Sequence, residues 1–128
     1  MSRDMKKIKK LIIAVAFLLV IVVVYIILYN KTYHIRVDID EVYMVQIQTN
    51  DSNGINTSII TDPNEIKAYV EEAKKIRFTH PKFFPGKGWT TMVDIKMKSK
   101  SGSEKTYRYT ISDTNIVIGQ LKFDLLPD

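Results

Sequence analysis

The sequence predicts an α+β domain that follows a single transmembrane helix. Three observations predict this: a long uncharged run near the start, several stretches in which apolar and polar residues alternate, and one stretch with apolar residues at helical spacing. These segments follow one another in the order ββαβββ, with short turns between neighbours. Such an order favours a five-stranded antiparallel sheet with one covering helix.

The uncharged run predicts a membrane anchor. Residues 11–29 form a stretch of nineteen residues without charge. As a helix it would rise about 28 Å, close to the roughly 30 Å of a bilayer's hydrocarbon core. A cleaved signal peptide is the alternative, but it has a shorter apolar stretch and small residues at its cleavage site. The exit 26–31 reads Ile-Ile-Leu-Tyr-Asn-Lys, so an uncleaved anchor at 11–30 is predicted.

The distribution of charge predicts the topology. The chain has 19 basic and 14 acidic residues, a net charge of +5. Five of the basic residues lie in segment 1–10, where Asp4 is the single acid. This predicts a cytoplasmic tail at 1–10, and a cell-membrane protein with one span and an extracytoplasmic C-terminal domain. Residues 31–128 are nearly balanced in charge, which argues against a nucleic-acid partner.

Cysteine is absent from the sequence. The domain therefore has no disulfide, no thiolate metal site and no cysteine nucleophile. Its own apolar core must hold it together. Bacterial exported domains often fold in this way, whereas small animal secreted domains usually carry disulfides. The composition therefore favours a bacterial source.

The first half of the exported part predicts a hairpin. Segment 31–41 is polar and is predicted to be a juxtamembrane connector, with the folded domain at 42–128. Alternation from Val42 to Gln48 predicts a strand. The cluster 50–54 ends in Asn-Gly and predicts a turn, because positive φ is easily adopted there. Residues 55–61 then complete the hairpin.

One helix is signalled clearly. Asp62 is placed to cap it, Pro63 suits the first helical position, and Glu65 follows three residues after the cap. An apolar stripe at helical spacing follows: Ile66, Tyr69, Val70, Ala73 and Ile76. We expect an amphipathic helix that lies on the sheet and ends near Arg77.

The second half predicts a loop and three strands. Segment 78–88 has two X-Pro pairs and two glycines, which is typical of a loop. Alternation predicts strands at 89–98, 105–112 and 116–123. Gly119 marks a candidate break in the last of these.

No catalytic, metal or cofactor site is predicted. His34 and His80 do not have the spacing of metal ligands. Asp94 and Glu104 are a candidate carboxylate pair across the hairpin that follows the loop. Asp94 alternates with lysines, however, which is typical of a solvated strand face.

The loop 79–89 is the candidate binding segment. Prolines stiffen it, which lowers the entropy lost on binding, and aromatic residues beside cations suit a peptide, a glycan or anionic lipid headgroups. Its candidate binding residues are His80, Lys82, Phe83, Phe84, Lys87 and Trp89. The alternative interpretation is that Phe83, Phe84 and Trp89 plug the open end between helix and sheet.

The helix start 61–66 reads Thr-Asp-Pro-Asn-Glu-Ile and follows a predicted hairpin. This layout resembles small Gram-positive bacterial proteins with an N-terminal membrane anchor and an extracytoplasmic α+β domain. The resemblance implies the same topology and supplies no functional residues.

These observations predict a non-enzymatic, membrane-tethered interaction module. Its partners would be the lipid bilayer and another envelope protein, a wall polymer or a lipid component. A cell-envelope enzyme is the first alternative class. A structural membrane subunit is the second, assembling through the helix face that carries Tyr25, Tyr29 and Tyr33. The oligomeric state is left open.

Overall fold

The structure is a computed structural model that describes residues 2–51, 53–84 and 90–127. The predicted site residues Lys87 and Trp89 lie outside the described residues. The chain forms two compact units, Met1–Lys31 and Thr32–Asp128.

The first unit is the helix α1, Ser2–Asn30. Its residues Arg3–Asn30 are long and apolar enough to span a membrane. A lone segment in lipid must pair all its backbone groups internally, and a helix does so. Residues 2–10 of the predicted basic tail belong to the same helix. At the other end the Asn30 side chain donates a hydrogen bond to the Ile26 carbonyl over 3.0 Å.

The second unit is an α+β domain built on one antiparallel sheet, as predicted. Its elements are β1 Tyr33–His34, a 3-10 turn Ile39–Glu41, β2 Val42–Asp51, β3 Gly54–Ile60, α2 Pro63–Lys74, β4 Arg77–Phe83, β5 Thr91–Lys98, β6 Glu104–Ile111, β7 Asn115–Ile118 and β8 Leu121–Leu125. The strand order is β1-β4-β8-β7-β6-β5-β2-β3. The prediction of five strands was wrong, since the sheet has eight within the residues that the structure describes.

The three additional strands have separate origins. β1 lies in the predicted connector, and β4 occupies most of the predicted loop. The last predicted strand is divided into β7 and β8 at Gly119, where φ is +62°. Pro81 is tolerated in β4 because the pairing of β4 with β8 shifts register between Thr79 and Lys82. A proline at a bulge removes no regular ladder hydrogen bond.

The predicted β2–β3 hairpin is present. Asp51 pairs with Gly54, whose φ of +114° suits a residue without a side chain. The Asp51 carboxylate accepts a hydrogen bond from the Asn53 backbone N–H over 2.8 Å.

Helix α2 starts where the sequence predicts it. The Asp62 carboxylate accepts a hydrogen bond from the Glu65 backbone N–H over 3.1 Å, and Pro63 is the first helical residue. The helix ends at Lys74, earlier than expected, because Arg77 already begins β4.

The core lies between α2 and one face of the sheet. Ile35 and Val37 belong to it, so the predicted connector contributes buried side chains. The rings of Tyr33, Phe78 and Phe123 pack together near β1, with centroids 4.8–6.2 Å apart. The buried apolar side chains are Ile35, Val37, Val45, Ile66, Val70, Ala73, Phe78, Val93, Ile95, Tyr109, Ile116 and Phe123.

Shortening a core side chain will test this packing. Ile95 is fully buried and pairs with Val45 on one side and Tyr107 on the other. We expect Ile95→Ala to lower the free energy of unfolding by about 2–5 kcal/mol, because it removes buried methyl groups and leaves a cavity. Urea unfolding of the full chain in detergent measures this. The matched control Ile59→Ala, at a side chain that is 59% exposed, should change the value by less than about 0.5 kcal/mol. Equal losses in both variants would contradict the described core.

Candidate functional site

The sheet has one covered face and one open face. Residues directly opposite each other in an antiparallel pair lie on the same face of the sheet. The strand register therefore identifies the residues on the face opposite the core, which we call the outer face. Apart from Asp94, its members are half-buried or exposed. They are Gln46, Gln48, Met92, Asp94, Lys96, Thr106, Arg108, Thr110, Val117 and Lys122.

An ion pair lies at the centre of the outer face. Asp94 and Arg108 stand opposite each other, with Nε–Oδ1 at 2.6 Å and a second nitrogen–oxygen contact at 3.0 Å. Asp94 is only 7% exposed, although its alternation with lysines predicted a solvated position. The planar guanidinium satisfies both carboxylate oxygens, which a buried charge requires. The hydrogen bond to Asp94 in turn raises the pKa of Arg108.

The candidate carboxylate pair is not brought together. Asp94 stands opposite Arg108, whereas Glu104 stands opposite Lys98, four residues further along β5. Four residues of strand span about 13 Å. Glycosidase carboxyls lie about 5–9.5 Å apart, so these two do not form that arrangement.

A second cluster surrounds Asp124 on β8. His80 Nδ1 and Lys82 Nζ each lie 3.0 Å from one oxygen of its carboxylate. The hydrogen bond from Lys82, followed by that from His80, lowers the pKa of Asp124 below its ordinary value of 3.8. The structure thus places two of the predicted binding residues around a partner that the sequence did not single out.

The bulge in β4 creates this cluster. Because side chains alternate along a strand, the extra residue between Thr79 and Lys82 moves Lys82 to the face that carries Lys122 and Asp124. His80 lies in this bulge and has a φ of +58°. Such a conformation costs a non-glycine residue about 1–3 kcal/mol. The surrounding contacts must therefore hold His80 in place.

The two phenylalanines that follow lie apart from the described core. Phe83 pairs with Leu121 at the end of β4, and the two side chains are 68% and 42% exposed. Phe84 is half-buried and contributes to a cavity of about 120 Å³ on the outer face. Its backbone N–H donates to the Gln120 carbonyl over 2.8 Å, and Lys122 Nζ lies 4.8 Å from its ring centroid. Neither ring fills the space between α2 and the sheet.

These residues form what we call the β4–β8 patch: His80, Lys82, Phe83, Phe84, Leu121, Lys122 and Asp124. The register places the exposed apolar pair Phe83 and Leu121 on the side of the sheet that carries the core, and Lys82, Lys122 and Asp124 on the outer face of the same two strands. The sequence predicted its β4 half from composition. The residues on β8 were missed, because they lie some forty positions after β4 in the sequence. Only the pairing of the two strands brings them into the patch.

The patch is poorly suited to a metal ion. His80 and Asp124 are the groups that would serve as ligands, and the Lys82 ammonium beside them would repel a cation. Within residues 2–51, 53–84 and 90–127, no three His, Asp or Glu side chains gather as metal ligands would. The arrangement instead offers hydrogen bonds, positive charge and apolar contact.

Comparison with known proteins adds no further identification. No family model matches the chain, and neither a curated protein nor a solved structure matches it. The resemblance to Gram-positive anchored proteins therefore stays a prediction. The site has to be interpreted from its own geometry.

The Asp124 cluster predicts a stability difference that depends on pH. A carboxyl whose pKa is lower in the folded state stabilises the fold above its unfolded pKa, and this contribution is lost as pH falls through the folded pKa. We expect Asp124→Asn to have a lower melting temperature than the unchanged protein at neutral pH. This difference should vanish when the pH is well below 3.8, the carboxyl's ordinary pKa. Thermal unfolding followed by circular dichroism measures it.

The control for this comparison is Asp113→Asn, in the exposed turn between β6 and β7. It should melt like the unchanged protein at both ends of the pH range. A difference for Asp124→Asn that is the same at all pH values would contradict the ion-pair assignment.

Proposed function

We propose that this chain is a non-enzymatic, membrane-tethered interaction module whose domain lies outside the cell membrane. The β4–β8 patch is its binding surface, and its partner is an envelope protein, a wall polymer or a lipid component. The observation that carries this proposal is Phe83, an aromatic side chain that is 68% exposed within a hydrogen-bonded strand.

An exposed aromatic ring on a strand is suited to binding. Its backbone is already ordered, so less conformational entropy is lost when a partner covers it. Large aromatic side chains also contribute much of the energy in protein interfaces. Leu121, opposite Phe83 in the register, enlarges the apolar surface, while Lys82 and Lys122 add positive charge on the other face of the same two strands. On that face Lys122 lies beside the Phe84 ring, and a cation beside an aromatic ring suits partners that combine apolar and anionic groups.

Tethering supports the same proposal. A patch of a few residues is smaller than a stable interface between free proteins. Confinement to a membrane raises the effective concentration of a partner in the same envelope. The helix α1 is long enough to provide this confinement, and the five basic residues in 1–10 favour the orientation with that end in the cytoplasm.

The orientation can be measured by cysteine labelling, because the chain has no native cysteine. We expect Lys100→Cys, in the β5–β6 turn, to react with a membrane-impermeant maleimide on intact cells. Met5→Cys should react only after the membrane is permeabilised. The reverse pattern would contradict the proposed topology, and labelling of both sites on intact cells would contradict a sealed membrane span.

Binding can be tested by placing a photo-crosslinking phenylalanine analogue at position 83 of the full chain in intact cells. We expect a discrete adduct that is lost when Leu121→Ser is added, because the exposed apolar pair is then broken. The same analogue at position 100, in an exposed turn, is the matched control. Adducts of equal yield at both positions would show random collision instead of a binding surface.

Stability must be followed in the same variants. Phe83→Ser and Leu121→Ser change exposed side chains, so each should alter the free energy of unfolding by less than about 0.5–1 kcal/mol. If loss of the adduct accompanies unfolding, the patch belongs to the structural framework and the proposal loses its support.

A further inference from the structure

The strand β3 is an open edge of the sheet. The sheet ends in β1 on one side and β3 on the other. β1 has two residues, whereas β3 has seven and pairs with β2. Within the described part of the chain, no strand pairs with the other side of β3. Backbone N–H and C=O groups on that side are therefore available to another strand.

This edge lacks the features that usually prevent pairing. Edge strands are commonly kept apart by charged side chains, proline, bulges or short length. β3 reads Gly-Ile-Asn-Thr-Ser-Ile-Ile, without charge or proline, and its register with β2 runs without a shift. Ile55 and Ile59 are 61% and 59% exposed. An edge of this kind favours addition of a further strand.

The side chains of β3 are complementary to those of a second copy. Ile55 and Ile59 stand at equal distances from Thr57, and alternation places all three on the outer-face side. Antiparallel pairing about a two-fold axis at Thr57 sets each Ile55 opposite Ile59 of the other copy. Asn56 then stands opposite Ser58, which allows a hydrogen bond. Cross-strand pairs of these kinds stabilise antiparallel strands.

We propose that two copies of this chain join through β3, in antiparallel pairing centred on Thr57, to form one continuous sheet. Self-pairing brings no like charges together within the strand, since β3 carries none. The nearest acids, Asp51 and Asp62, lie beyond its ends, and both accept backbone hydrogen bonds within their own chain. The interface is isologous, as two-fold dimers require.

The small area of this β3–β3 interface makes membrane tethering important for the formation of the dimer. A seven-residue strand pair buries less than the roughly 1,200–2,000 Å² of a stable interface between free proteins. Two copies held in one membrane meet at a higher effective concentration. This step rests on the membrane anchoring proposed above, whereas the pairing itself does not involve the β4–β8 patch.

Single cysteines test the register, because the chain has no native cysteine. In the full chain in membranes, Thr57→Cys should give a disulfide-linked dimer on mild oxidation, because directly opposed residues have Cα atoms about 4.5–5.5 Å apart, within the range of about 4.4–6.8 Å that disulfides span. Asn56→Cys and Ser58→Cys should link poorly alone, but should link when the two variants are co-expressed. Lys100→Cys, in an exposed turn, is the control that measures how much disulfide linking arises from random collision.

Charge placement gives an independent measurement. In the Thr57→Cys background, the pair Ile55→Lys with Ile59→Lys sets lysine opposite lysine and should abolish the linked dimer. The pair Ile55→Lys with Ile59→Glu sets lysine opposite glutamate and should retain it. Both pairs change exposed side chains, so circular dichroism should show the same fold.

Strong linking at Thr57, linking of the 56 and 58 variants only in the mixture, and rescue by the Lys–Glu pair support the proposal. Linking at Thr57 no stronger than at Lys100 overturns it. Equal linking at positions 56, 57 and 58 overturns the register, and equal effects of the two charge pairs overturn the pairing. Since Phe83 is unchanged throughout, these results are separate from those on the β4–β8 patch.

Discussion

The hydrogen bonding of one antiparallel sheet is the constraint on which the rest of the domain depends. Eight strands share this sheet, and the single described helix that packs on it is α2, with three buried side chains. One helix of twelve residues cannot cover eight strands. The aromatic cluster near β1 and the buried pair Ile35 and Val37 extend the core beyond the helix. The outer-face residues named above, apart from Asp94, are half-buried or exposed.

This imbalance between sheet and helix explains the character of the exposed surfaces. The outer face must satisfy its polar groups without a covering layer, and the Asp94–Arg108 pair does so across two strands. At the margins, the apolar side chains of Phe83 and Ile55 are 68% and 61% exposed. The two proposed interaction surfaces, the β4–β8 patch and the β3 edge, both lie at margins of the sheet away from α2.

Local signals predicted much of the fold. The cap at Asp62, the proline that follows it and the apolar stripe act within a few residues, and α2 forms as they indicate. Period-two alternation located β2, β5 and β6 to within a few residues. The two prolines, in contrast, made β4 resemble a loop. A bulge accommodates Pro81 there, and the bulge depends on pairing with β8, which no local pattern reveals.

The candidate site was predicted in part for the same reason. Composition singled out His80, Lys82, Phe83 and Phe84, since aromatic and basic residues are concentrated there. Asp124 gave no local signal, because its role follows from lying beside β4, more than forty residues away. The burial of Asp94 was missed because alternation describes which face a residue occupies. It does not show whether the opposite residue covers it.

The position of β1 has a mechanical consequence. After helix α1 the chain enters the sheet through this strand of two residues, which pairs with β4 at the border of the sheet. Tension applied through helix α1 would therefore act first on Tyr33 and His34, and next on Ile35 and Val37 in the core. Unfolding under such a force would begin at that border of the sheet, and the β2–β3 hairpin at the opposite border would unfold last.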